Sequence, residues 1–155
     1  MYLKANIRGR RLGIYFRRVQ EVRGINSDLG HGKSAIFLDC DKVGERRLRA
    51  ELATWLTEWN LPYADYLTTG RNDSYHVYVF CSVDFAYALR AACAFEFCDP
   101  AHLLWSKKRG HFTLRYSPKG GRAISWQGRV DGVRAAQCGL SDFVSFTRYQ
   151  TARWD

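Results

Sequence analysis

Between residues 44 and 61 the apolar side chains Leu48, Leu52, Trp55, Leu56 and Trp59 recur at intervals of three and four, with charged residues opposite. That spacing gathers them on one side of a 3.6-residue turn and predicts an amphipathic helix. A second helix is predicted over 83–98, "VDFAYALRAACAFEFC", with Asp84 as its cap. Elsewhere the period is two. "AIFLDCD" (35–41), "YADYLTTG" (63–70), "SYHVYVFC" (74–81) and "HFTLRYS" (111–117) read as strands, the middle two joined by a short Asn-Asp turn. "LGIYFRRVQEV" (12–22) predicts a strand and part of a hairpin, "GINSDLGHGKS" (24–34) a loop, and "PKGGR" (118–122) a turn.

The order over 35–117 is therefore β-α-β-β-α-β. This is the split βαβ unit, an α+β fold with four antiparallel strands and both helices on one face. One domain is expected over 1–155, with its core at about 34–122 and flanks at 1–33 and 123–155. The alternation also assigns faces. Asp39 and Asp41 oppose Ile36, Leu38 and Cys40. Ser74, His76 and Tyr78 oppose Tyr75, Val77 and Val79. His111, Thr113, Arg115 and Ser117 oppose Phe112, Leu114 and Tyr116. Three strands thus each turn one apolar face to the helices and leave acids, histidine and arginine on the other, where they can converge.

Charge changes the picture through its distribution. The net charge of +9 divides into about +6 over residues 1–33, −4 over 34–104 and +7 over 105–155. Basic flanks suit phosphate backbones, and an acidic centre suits a divalent cation. No apolar run approaches the ~20 residues that span a bilayer, and arginines break up the start of the chain. The expected location is cytoplasmic, in a host cell if the chain is viral, with no membrane partner. Cys40, Cys81, Cys93, Cys98 and Cys138 are odd in number and form no CxxC, which fits free thiols rather than zinc ligands.

Two aspartates at i and i+2 on a strand end are hard-oxygen ligands for Mg²⁺ or Mn²⁺, the arrangement two-metal nucleotidyl transfer uses. The plainer alternative is a turn into the following helix. Arg71, His76, Arg115 and Lys119 are candidates for triphosphate oxygens, Arg through its fork and Lys as a point charge, with backbone amides of Gly120 and Gly121. Singly, each reads equally as a solvated charge or a turn residue.

Taken in order, "FLDCD", "TGRNDSYHVYVF" and "LRYSPKGGR" resemble the archaeo-eukaryotic primase superfamily over about residues 34–122. Its members share an RRM-like catalytic core with hhhDhD on one strand, sxH on a later one, and a distal Arg/Ser/Lys segment. The resemblance implies Asp39 and Asp41 as metal ligands and catalytic residues. It implies His76 as a catalytic residue on the nucleotide phosphates, preceded by Ser74. Arg71, Arg115, Ser117 and Lys119 would line the nucleotide pocket. The family's third metal carboxylate lies in the strand before the distal segment, where this chain reads "KKRGHFTLR" without an acid; Asp99 and His111 are the candidates to replace it. The implied activity is that of a metal-dependent DNA primase or polymerase of a virus, plasmid or other mobile element. Its partners would be a single-stranded DNA or RNA template, NTP or dNTP, and a helicase or other replication protein.

Two rivals stand beside this reading. Nine Tyr, nine Phe and five Trp supply the stacking surfaces of a non-catalytic single-strand-binding module on a degenerate primase fold. A rolling-circle initiator nuclease would need paired histidines around one apolar residue, and "YHVYV" has one.

Overall fold

The computed structural model describes the backbone of residues 2–7, 10–15 and 19–151, and the side chains of 19–149. In chain order the strands are β1 (Tyr2–Ile7), β2 (Arg10–Tyr15), β3 (Val19–Asn26), β4 (Asp28–Gly30) and β5 (Lys33–Asp41). Helix α1 (Glu45–Glu58), β6 (Ala64–Thr68), β7 (Ser74–Asp84), α2 (Phe85–Cys93) and α3 (Pro100–Arg109) follow, then β8 (Thr113–Arg115), β9 (Ser125–Val130) and β10 (Val144–Thr151). The fold is α+β. Its main sheet runs β4-β5-β7-β6-β9, a second runs β10-β3-β8, and β1 pairs with β2 as a separate hairpin; every pairing is antiparallel.

The amphipathic pattern of α1 buries Leu48, Leu52, Trp55 and Leu56, and the Trp55 indole donates to the Ala91 carbonyl on α2 at 2.8 Å. The Tyr66 hydroxyl locks β6 to α1, donating to Glu45 (2.8 Å) and accepting from Arg49 (3.3 Å). Tyr66 is paired with Val77, and Val77 with Leu38, so that cross-strand row faces the helix. The next row, Leu67, His76 and Asp39, must face the opposite way, because side chains alternate along each strand. The core settles this parity firmly: Leu38 and Val77 are fully buried, and a one-residue slip would exchange them for Asp39 and His76.

The RRM-like sheet is completed to three strands only. The expected fourth, β8, does not lie beside β5 but pairs with β3 in the second sheet, Thr113 opposite Asn26 and Arg115 opposite Gly24. The reason is that the edge of β5 is already taken. Cys98 forms an isolated antiparallel backbone bridge with Cys40, both thiols being free, the Asp99 N–H donates to the Asp39 carbonyl at 2.7 Å, and the His102 Nε2–H donates to the Phe37 carbonyl at 2.9 Å. These groups satisfy backbone acceptors that a strand would otherwise pair with.

Other boundaries move too. The expected helix over 83–98 begins at Phe85 and ends at Cys93, and α3 follows it, capped by the Asp99 carboxylate on the Ala101 N–H with Pro100 in its first turn. Asp84 stands at the start of α2 but makes no cap bond; its carboxylate receives Lys33 Nζ at 2.9 Å. The strand expected over 111–117 shrinks to Thr113–Arg115. The expected loop 24–34 contains the end of β3 and the short strand β4. The strand expected over 12–22 divides into the end of β2 and the start of β3, while residues 16–18 lie outside the described residues. Among the described residues no helix is long and apolar enough to cross a membrane.

Candidate functional site

The face of the main sheet turned from α1 meets β8 and the turn after it across a cleft. There a cavity of about 270 Å³ is lined by Asp39 and Asp41 of β5, Ser74 and His76 of β7, Thr69 and Arg71 of the β6–β7 turn, and Thr113, Leu114, Arg115, Lys119 and Arg122. The strand parity of the sequence accounts for the first four. Displacement of β8 to the second sheet does not remove Arg115, because that sheet forms the opposite wall.

Two turns close the cavity from one side. Gly70 has φ +73, and a Cβ there would meet Arg122 Cβ at 2.8 Å. That close approach needs glycine and seats the 119–122 turn against the β6–β7 turn. The 119–122 turn is fastened by Lys119 and Arg122, each donating its N–H to the other's carbonyl (3.0 and 3.1 Å), with Gly120 and Gly121 at positive φ between them. Thr69 donates its hydroxyl to the Ser74 hydroxyl at 2.9 Å, holding the other turn. Lys42 (φ 61) and Asp73 (φ 55) are left-handed beside Asp41 and Ser74; such backbone costs ~1 kcal/mol or more for a non-glycine residue and clusters at ligand sites.

Asp39 is strongly perturbed by its surroundings. Burial, then the charges of Asp41 and Asp99, push the Asp39 carboxyl up to about 6, against the pull of Arg115 and Lys119. A buried carboxyl that resists ionisation beside another carboxylate lacks compensating positive charge, which a divalent cation supplies. His76 goes down to about 4 because it is buried, with Arg115 and then His102 adding repulsion. Its Nε2 lies 3.7 Å from Asp39 Oδ1, but the ring is neutral at pH 7, so this is no ion pair. Burial likewise lowers Arg115.

Among the described residues, the buried side-chain atoms without a hydrogen-bond partner are His76 Nδ1, Thr113 Oγ1 and Arg115 Nη1. All three belong to residues of this cavity. An unsatisfied buried polar group costs ~1–3 kcal/mol, so three on the facing walls of one cavity mark a space organised for a polar ligand.

Not every expected residue converges. Ser117 is buried, and its hydroxyl accepts the Arg23 N–H at 3.0 Å, which ties it to β3 rather than the cavity. Asp99 caps α3; it acts on Asp39 through charge but does not line the cavity. His111 does not line it either. Among the described residues no three His, Cys, Asp or Glu side chains form a metal-holding group. Sequence reasoning missed Thr69 and Arg122, and it placed Thr113 on the converging face without naming it a site residue. The parity of β8 pointed to Thr113, and Arg122 closes the "PKGGR" turn.

No family model, curated protein or solved structure matches the chain.

The arrangement can hold a metal-bound polyanion. Two carboxylates and four cations, Arg71, Arg115, Lys119 and Arg122, face one space. Mg²⁺ is commonly bound by one or two carboxylates together with substrate phosphates, so the donor set fits a cation that arrives with a polyanion better than one held by protein alone.

Proposed function

We propose that the cavity binds a nucleoside triphosphate with Mg²⁺ or Mn²⁺, and that the protein is a primase- or polymerase-like nucleotidyltransferase acting on a single-stranded template. The observation carrying this reading is the convergence of Asp39, Asp41 and His76 with four cations in one cavity whose buried polar atoms lack partners. A simple phosphate-backbone binder gains nothing from two carboxylates placed among its cations. The resemblance of "FLDCD" and "SYH" to the primase motifs supports the same assignment.

Asp39 and Asp41 would hold the cation, which when bound lowers the pKa of an attacking hydroxyl and offsets triphosphate charge. Arg115 and Arg122 would grip phosphate oxygens through their forks, and Lys119 and Arg71 would add positive charge. Neutral His76 would donate one hydrogen bond to a phosphate oxygen, fixing its position without adding charge. Burial of that ring keeps it aimed, since only a small part of it meets solvent.

A second reading has its own observation. The absence of a third metal ligand among the described residues favours a non-catalytic module that binds single strands. Primer extension and de novo synthesis with Mg²⁺ or Mn²⁺ decide between them. Incorporation that is lost in Asp39→Asn and Asp41→Asn supports the enzyme. Strand binding without incorporation under any metal leaves the binding module.

A further inference from the structure

Beside the metal-nucleotide cavity lies a second one of about 260 Å³, lined by Gln20, Val22, Thr113, Arg115, Lys119, Phe146 and Arg148. The two share Thr113, Arg115 and Lys119 as a common wall. We infer that this second cavity holds the backbone and one unstacked base of a single nucleic-acid strand, and that it does so without metal. The inference rests on the proposed function only for the direction of the strand towards the first cavity; the binding itself stands apart from catalysis.

The two basic flanks, far apart in sequence, meet here. β3 comes from the N-terminal flank and β10 from the C-terminal one, and they pair along their whole length, Val22 opposite Arg148 and Gly24 opposite Phe146. On the other edge of β3, Arg115 stands opposite Gly24. Alternation therefore puts Gln20, Val22, Phe146, Arg148, Thr113 and Arg115 on one face. Glu21 is the only acid among the described residues of these three strands; it points to the other face, where Arg23 pairs with it. The lining contains Arg115, Lys119 and Arg148 and no carboxylate. The first cavity mixes acids with cations as a metal site must; the second is purely cationic, as a phosphate-backbone site is.

Phe146 supplies the base contact. A Cβ on Gly24 would come within 2.4 Å of its ring, so glycine at that position is what lets the ring approach the strand beside it. Arg148 lies over the ring, 5.0 Å from its centroid, placing a cation beside the aromatic surface. Stacking on such a ring requires a base free of its duplex partner, which selects single strands. Arg115 Nη1 and Thr113 Oγ1, buried and without partners, are donors on the shared wall, where a phosphate passing between the two cavities would meet both.

The test is fluorescence anisotropy of the full chain with labelled single-stranded DNA, single-stranded RNA and duplex DNA, in EDTA and over a series of salt concentrations. Wild type should bind single strands more tightly than duplex in EDTA. Arg148→Ala should weaken binding severalfold and reduce the slope of log K against log salt by about 1, whereas Arg148→Lys should retain the slope. Phe146→Leu should weaken binding about tenfold or more with the slope unchanged. Arg46→Ala, an exposed α1 residue, is the control and should bind as wild type. Duplex bound as tightly as single strands, or Arg148→Ala and Phe146→Leu both binding as wild type, overturns the inference. Metal-independent strand binding with no triphosphate binding would instead overturn the proposed function and leave this site standing.

Discussion

Asp39→Asn should stabilise the fold while abolishing metal-dependent triphosphate binding. In the native state burial and the neighbouring Asp41 and Asp99 charges hold the Asp39 carboxyl at about 6, against 3.8 for the free group. The unfolded chain therefore ionises first. Below pH 3.8 the carboxyl is protonated in both states and costs nothing. As pH rises the unfolded state loses its proton while the native state keeps it, so native stability falls until the native carboxyl also ionises above pH 6. The penalty at pH 7.5 is at most about 3 kcal/mol, and about 1–2 once partial solvent screening is allowed for. An amide carries no such penalty and keeps the side chain's shape. Urea denaturation of both proteins at pH 4, 5, 6 and 7.5 in EDTA gives the difference directly. The gain should be small at pH 4, grow through pH 5 and 6, and level off above pH 7. Mn²⁺ with a nucleoside triphosphate should then stabilise wild type more than the triphosphate in EDTA does, and Asp39→Asn should show no such difference, by linkage. An Asn variant less stable than wild type at pH 7.5, or a gain independent of pH, would refute the electrostatic account of this site.

In primer extension, Asp39→Asn and Asp41→Asn should each abolish incorporation while strand affinity, measured by anisotropy, stays the same or rises slightly as an acid leaves the cationic cleft. His76→Ala should raise the nucleotide KM with a smaller effect on kcat if the ring grips ground-state phosphate; steady-state kinetics separates the two, and an unchanged KM counts against a phosphate contact. Gly70→Ala should displace the 119–122 turn, since its Cβ would meet Arg122 Cβ at 2.8 Å and its φ is +73; thermal denaturation should show a loss of about 1 kcal/mol or more, with weaker triphosphate binding by calorimetry.

What the sequence revealed and what it hid divide along local and distant effects. The facing of Asp39 and His76 was legible because Leu38 and Val77, their neighbours, are fully buried and the period of a strand is two. Helix α1 was legible because four of its apolar residues are core. Helix α3 carries no such pattern: its only buried residue is Ser106, while Leu104 and Trp105 are exposed. It covers the edge of β5 through backbone and His102 hydrogen bonds, which leave no hydrophobic period. That hidden edge is also why β8 was expected beside β5, whereas its partner β3 lies some ninety residues away in sequence. The same distance concealed the second cavity, which needs β3, β8 and β10 side by side. Ser117 shows the limit of parity: it shares a face with Arg115, but the chain has left β8 by then and its hydroxyl serves Arg23.

Asp39 and Asp41 should accept a cation only together with a triphosphate held by the facing cations. Isothermal titration calorimetry of a non-hydrolysable nucleoside triphosphate, in Mn²⁺ and in EDTA, tests it most directly. Wild type should bind one triphosphate in Mn²⁺ at least tenfold more tightly than in EDTA, and Asp39→Asn should erase that difference. Equal affinity with and without metal, or the same metal dependence in Asp39→Asn, would contradict it.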